Sequence, residues 1–188
     1  MNDEQFVKDN FNTFKKLITL NDKIISQIIQ TKEAILKASK KGNKTIVIGN
    51  GGSAAISSHV SVDLTKISYV RAINFNESDL ITTFGNDFGF EEIFAKAIEY
   101  YGDKGDVLIA ISSSGRSNNI INACKMAKIK KFSSIITLSG FSISNPLYRL
   151  GDINLWVNNK GYNFIESIHH FWLLVVVNAI RGDAYYSA

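Results

Sequence analysis

The side chains able to move protons or hold a metal form a short list in this chain. Its three histidines are His59, His169 and His170, and its one cysteine is Cys124. His59 stands four residues before Asp63, and Glu166 four before His170, so on helices each pair shares a face. A histidine beside a carboxylate can pass a proton to and from a carbon next to a carbonyl, or supply two ligands to a metal. Two such pairs, one on each of two helices, could converge on one metal or one substrate. Asp63 and His170 are then the candidate base and its partner, and His59, Asp63, Glu166 and His170 the candidate metal ligands. A lone cysteine excludes a thiolate cluster and leaves only His and carboxylate donors. His169 and His170 adjoin so apolar a run that one of the two also reads as a histidine satisfied by a buried contact.

Two loops carry the chemistry of anion binding. Gly49-Asn50-Gly51-Gly52-Ser53-Ala54-Ala55 follows a β-branched run and precedes a helical segment. Its glycines allow a tight turn that brings the Gly51 and Gly52 amides close to an anion, while Ser53 is placed to cap the helix. Ile111-Ser112-Ser113-Ser114-Gly115-Arg116-Ser117 repeats the arrangement with four hydroxyls around one glycine. Simple turn and cap chemistry explains one such loop. Two at equivalent places in one sheet point to a phosphate. No lysine follows the first loop's glycines, so it is not a Walker A loop. Gly49, Gly51 and Ala54 nearly meet the dinucleotide spacing, but Glu77, the nearest following acid beyond the next strand, comes late.

The elements that must position these loops follow from the apolar pattern. Short apolar runs at 45–48, 71–75, 106–111, 134–138 and 153–157 alternate with helical segments at 54–66, 91–101, 118–130 and 163–180. That alternation, with strands apolar along their length, predicts a three-layer α/β/α sandwich around a five-stranded parallel sheet. Two helices precede the first strand: one with Val7, Phe11, Phe14 and Ile18 on a stripe, the second over 22–41. Residues 1–188 read as one domain in which the helical segment 1–41 serves self-association.

Composition narrows the partners. Twenty-one Lys and Arg against seventeen Asp and Glu give a net charge of +4 without clustering, which argues against nucleic acid. The apolar run from Phe171 to Ile180 is about half of the ~20 residues that span a bilayer and reads as a buried helix, with no membrane partner expected. A single cysteine and no leader-like N-terminus fit the cytoplasm.

Gly49-Asn50-Gly51-Gly52-Ser53, then Gly85-Asn86-Asp87-Phe88-Gly89-Phe90, then Gly105-Asp106-Val107 leading into Ile111-Ser112-Ser113-Ser114-Gly115 together resemble the sugar isomerase (SIS) domain. Within it the sequence is similar, over nearly its whole length, to the bacterial phosphoheptose isomerases. The resemblance implies a flavodoxin-like fold and interconversion of sedoheptulose 7-phosphate and D-glycero-D-manno-heptose 7-phosphate for lipopolysaccharide or capsule synthesis. It also implies a homotetramer with shared sites, and zinc as a cofactor. On that basis Ser112, Ser113, Ser114 and Ser117 hold the sugar phosphate, Asn50 and Ser53 the sugar hydroxyls, and Asp87 a more distal part of the substrate. Several positions depart from the family. Asp63 stands where a catalytic glutamate belongs, Glu166 where a glutamine does, Leu174 where a second histidine does, and Ile67 where an arginine does. His170, one turn before Leu174, and Lys66 or Arg71 are the candidate stand-ins. Two other functions fit the same loops: a SIS protein that binds a phosphosugar as a regulator or interaction module, as replication-initiator-binding relatives do, and an isomerase of a different sugar phosphate.

Overall fold

Every central strand of this protein is an unbroken run of buried residues, and the alternation of side chains along each run decides which core they enter. The computed structural model describes residues 2–185. Strands β1 (Thr45–Ile48), β2 (Ala72–Ile73), β3 (Val107–Ile111), β4 (Ser134–Ser139) and β5 (Ile153–Trp156) form one parallel sheet in the order β2-β1-β3-β4-β5. Val47, Ile109, Ile111, Ile136 and Leu138 point to one face, and Ile46, Ile48, Leu108, Ala110 and Ile135 to the other. Helices α2 (Asp22–Ser39), α3 (Gly52–Lys66) and α7 (Tyr162–Arg181) cover the first face with Ile35, Ile56, Val60, Leu64, Ile168 and Leu173. Helices α5 (Ile93–Tyr101) and α6 (Asn118–Ile129) cover the second with Phe94, Ile98, Ile120 and Ala123. The three-layer expectation holds.

Two elements differ from the sequence reading. Strand β2 is two residues long rather than five, because it sits at the sheet edge and Asn74 and Asn76 turn toward α3, bonding Ser61 Oγ and Ser58 Oγ at 2.8 Å each. The segment Ser78–Phe88, with the Gly85-Asn86-Asp87 motif in its last turn, is a helix, α4. Its two helix-weakening residues hide an amphipathic face whose Leu80, Ile81 and Phe84 pack on the second core. The first helix, α1 (Asp3–Leu17), buries none of its residues; Phe6, Val7 and Phe11 are all more than half exposed, while Phe14 and Leu17 lean on the first core. Helix α7 has the length and apolarity to cross a bilayer, yet Ile165, Ile168, His169, Trp172, Leu173, Val176 and Val177 on it are core residues.

At the amino ends of β1 and β3 a buried ion pair fixes the register. Lys44 Nζ lies 2.6 Å from the fully buried Asp106 carboxylate and 2.7 Å from Asp103. Asp106 also accepts the backbone N–H groups of Lys44 at 3.0 Å and Asp103 at 2.9 Å. The Gly105-Asp106-Val107 motif is therefore a structural clamp on the side of the sheet away from the loops. Asp106→Ala leaves Lys44 with only the exposed Asp103 and orphans two amides, so urea unfolding should show a loss of about 3 kcal/mol with the m value unchanged.

Candidate functional site

The strand order places the turn-back of the chain between β1 and β3, the position in a parallel sheet where ligands bind at the carboxyl ends of the strands. The first glycine loop leaves β1 there and the serine loop leaves β3. The two are tied by a reciprocal amide pair: Asn50 Nδ2 donates to Asn119 Oδ1 and Asn119 Nδ2 to Asn50 Oδ1, both at 2.9 Å. Asn119, 3% exposed, lies in the first turn of α6, so the pair fixes one loop to the helix that begins the other. Nothing in sequence spacing announces this contact, which joins residues 69 apart.

Between the loops lies a cavity of about 140 Å³ lined by Asn50, Ser53, Ser112, Ser113, Ser114, Ser117, Tyr162 and Glu166. Ser112 Oγ and Ser117 Oγ are 3.0 Å apart, and the buried Ser113 hydroxyl has no partner. An unpaired buried hydroxyl in a serine-lined cavity at a helix N-terminus suits an oxyanion. Gly115 turns the loop with φ +67°, and a side chain there would run into Asn145. Asn145, 1% exposed, is itself fixed behind that turn by Ser139 Oγ at 3.0 Å, the Ser142 carbonyl at 2.7 Å and the Tyr148 N–H at 2.8 Å.

Ser53 does not cap α3: Gly51, with φ +54°, occupies the cap position and Ser53 sits one residue inside the first turn, where its buried side chain faces the cavity. Gly52 lets the Glu166 carboxylate lie against the start of α3, a space any Cβ would fill. Glu166 is the one carboxylate in the cavity wall, and Tyr162, which packs on Phe141 with ring centroids 5.3 Å apart, flanks it. No spacing in the sequence marks Tyr162; only its place two residues after the β5 loop's Lys160, at the first position of α7, could have done so.

The four candidate metal ligands divide. His170 Nε2 is 2.9 Å from His59 Nδ1, the rings meeting edge to face, and His59 Nε2 is 3.2 Å from Asp63 Oδ2. With Asp63 ionised, His59 donates from Nε2, leaving Nδ1 as acceptor of the His170 Nε2–H. Both His59 nitrogens are thus engaged, Glu166 stands apart at Gly52, and among the described residues no three His, Cys, Asp or Glu side chains gather as a metal cage. The set fits a hydrogen-bonded relay better than zinc ligands. Burial lowers the His170 pKa below the usual histidine range and the His59 ring adds to this, with Asp63 opposing, so His170 stays neutral at neutral pH.

Asp87 does not line the cavity; it is exposed at the end of α4, accepting from Asn86 at 2.9 Å. Arg71 cannot stand in for the expected arginine, since it bonds the Gly42 carbonyl at 2.7 Å at the far end of the sheet. Ile67, 7% exposed, is core, and Leu174 is half-buried on α7. His169 is core as well: fully buried, it donates from Nε2 to the Ser139 carbonyl at 3.1 Å. Cys124 is buried in α6 with its thiol pKa pushed up to about 12, which makes it unreactive.

Comparison with known proteins agrees with this fold. Residues 10–140 match the SIS domain family. A phosphoheptose isomerase of Buchnera aphidicola subsp. Acyrthosiphon pisum is 33% identical over 193 aligned positions, covering 96% of this chain and 99% of that protein. Phosphoheptose isomerase 2 of Campylobacter jejuni is 38% identical over 134 positions, covering 68% and 66%. Among solved structures, a phosphoheptose isomerase from Neisseria gonorrhoeae superposes with a TM-score of 0.89 at 27% identity, covering 95% of this chain and 98% of that one.

Two outcomes test the site's architecture. Gly115→Ala forces an L side chain into a left-handed backbone costing about 1–2 kcal/mol and displaces Asn145; stabilisation of the protein by inorganic phosphate in a thermal melt should disappear, whereas retained stabilisation would detach the serine loop from anion binding. Burial lowers the His169 pKa from 6.5 to about 4, so the unfolded chain takes up this proton first as pH falls. The stabilisation is complete above pH 6.5 and declines toward pH 4, by about 3 kcal/mol in all. His169→Phe should flatten that slope in denaturant titrations.

Proposed function

The chain belongs to the phosphoheptose isomerase family of SIS-domain proteins, and from that premise we propose that it interconverts sedoheptulose 7-phosphate and D-glycero-D-manno-heptose 7-phosphate. The observation that carries this reading is the single cavity in which the serine loop and the first glycine loop meet beside a histidine relay. Ser112, Ser113, Ser114 and Ser117 take the phosphate, where the α6 N-terminus adds its dipole; Glu166 is the one carboxylate in the same cavity wall. Asn50, Ser53 and the Gly51–Gly52 amides face the sugar hydroxyls, and Glu166 accepts hydrogen bonds from them at the end remote from the phosphate. The cavity, of about 140 Å³, is small for a seven-carbon sugar phosphate, so in this reading the carbonyl end extends past Glu166 to His170, one turn further along α7.

His170 is then the group that touches C1. Its Nδ1 takes the proton from C1 of the open-chain ketose as the C1–C2 double bond of the enediol forms and O2 gains a proton. Return of a proton to C2, with loss of the O1 proton, gives the aldose. No oxidant or reductant is consumed. His59 and Asp63 hold His170 in the required tautomer and place a negative charge behind the developing imidazolium. Asp63, the base in the sequence reading, therefore works through His59, which also makes the shorter reach of Asp relative to Glu harmless. Zinc enters no step.

The exposed Phe6, Val7 and Phe11 stripe of α1 supports a homo-oligomer, and a tetramer with shared sites gives exposed Asp87 a substrate on a neighbouring subunit. Work in the cytoplasm on a precursor of lipopolysaccharide or capsule is the setting this substrate implies.

Incubation with sedoheptulose 7-phosphate, with and without zinc, should yield the aldose in both; stabilisation by the sugar without turnover in either condition would make the protein a binding module instead. Asp63→Asn should lower kcat about 10²-fold with KM nearly unchanged, since only the countercharge is lost. The acid limb of kcat should lie below the ordinary histidine range, because His170 must charge before it fails as a base.

A further inference from the structure

Among the described residues, three other than glycine have a positive φ: Tyr69 at 55°, Lys131 at 59° and Phe141 at 55°. Tyr69 and Lys131 follow the ends of α3 and α6, where one left-handed residue commonly terminates a helix. Phe141 follows strand β4, where no helix end accounts for it, and a bulky side chain makes that backbone costly. Such outliers persist only where the surrounding structure holds them, and they gather at functional sites. What holds Phe141 is the wall of the serine cavity. The N–H of Gly140 donates to the Ser113 carbonyl and that of Phe141 to the Asn159 carbonyl, both at 2.8 Å. Asn159 Oδ1 in turn accepts the N–H of Gly161, the residue just before α7, at 2.6 Å. Residues 140–141 therefore tie the serine loop to the connection between β5 and α7. The half-buried Phe141 ring leans on the first core and lies against Tyr162, which is 55% exposed and lines the cavity.

This cavity is short of donors for a dianion. No lysine or arginine stands among its lining residues, and the Ser112 and Ser117 hydroxyls, 3.0 Å apart, spend one of their two hydrogens on each other. A phosphate ester presents three oxygens that accept strong hydrogen bonds. The Tyr162 phenol is a neutral donor on the same wall as those serines. We propose that Tyr162 is a substrate-binding residue whose hydroxyl donates to the phosphate, and that Phe141 is the positioning residue that holds the Tyr162 ring at the cavity. The assignment rests on the reading that the serine loop takes the phosphate. It accounts for the backbone of Phe141, since a relaxed turn after β4 would carry the aromatic ring away from α7.

Inorganic phosphate is the probe, so the result does not depend on turnover. Its dissociation constant, from calorimetric titration of the intact protein, should rise about tenfold in Tyr162→Phe, which removes one oxygen from an exposed side chain and spares the core. Phe141→Ala should weaken phosphate binding as well, whereas Phe141→Tyr, which keeps the ring, should not. Adding Phe141→Ala to Tyr162→Ala should cost nothing further, because Phe141 acts through the Tyr162 ring. Unchanged phosphate affinity in Tyr162→Phe would overturn the proposal and leave the isomerase reading in place. Effects of Phe141→Ala and Tyr162→Ala that simply multiply would overturn the positioning role. Absence of phosphate binding in the unaltered protein would remove the serine site and this assignment together, while a tenfold effect without any turnover of sugar would sustain the assignment and remove only the isomerase reading.

Discussion

The amide pair between Asn50 and Asn119 is the constraint on which the site depends. Each of its two hydrogen bonds is ordinary in length, 2.9 Å, but together they fasten the glycine loop after β1 to the helix that follows the serine loop after β3. Adjacent parallel strands bring the two loops to one end of the sheet; they do not by themselves set the gap between them. The reciprocal pair does, and it leaves the serine loop and the first turns of α3 and α6 around one small cavity. Behind the serine loop, Asn145 supports the left-handed turn at Gly115. Asparagine suits both places because one side chain both donates and accepts without bringing a charge that would compete with an anion.

The opposite end of the sheet is held differently. Asp106 and Lys44 are buried ions whose satisfaction by backbone amides and by each other fixes β1 against β3, and the loops inherit that register. Helix α7 joins the two functions of the chain. One face of it fills the first core with Ile165, Ile168, Leu173 and Val176, and the adjoining face carries Glu166 and His170. His170 and His59 on α3 meet only because both helices pack on the same side of the sheet. Burial then keeps His170 neutral, which is the protonation state a base needs.

Much of this was legible in the sequence, for physical reasons. Buried parallel strands are continuous apolar runs, so β1 and β3 to β5 were marked to within a residue, and two glycine- or serine-rich loops at strand ends marked the walls of the cavity. The helical spacing of His59 with Asp63 was also a sound guide, since the two do pair. What local pattern could not carry was long-range. Tyr162 and Asn145 have roles set by residues far along the chain, and the Asn50–Asn119 pair spans two βα units. The His59–His170 contact joins residues 111 apart, beyond the reach of any spacing along one helix. Helix α4 was hidden because glycine and asparagine lie in its last turn, and β2 was overextended because an edge strand ends where its asparagines find better partners on α3.

Proton transfer by the His170–His59–Asp63 relay is the central claim, and solvent hydrogen is its tracer. Sedoheptulose 7-phosphate turned over in deuterium oxide should acquire deuterium at C1 and yield aldose deuterated at C2, read by proton and deuterium NMR, and His59→Ala should slow the exchange together with turnover. Product formed without solvent deuterium, or exchange untouched by loss of His59, would contradict the account.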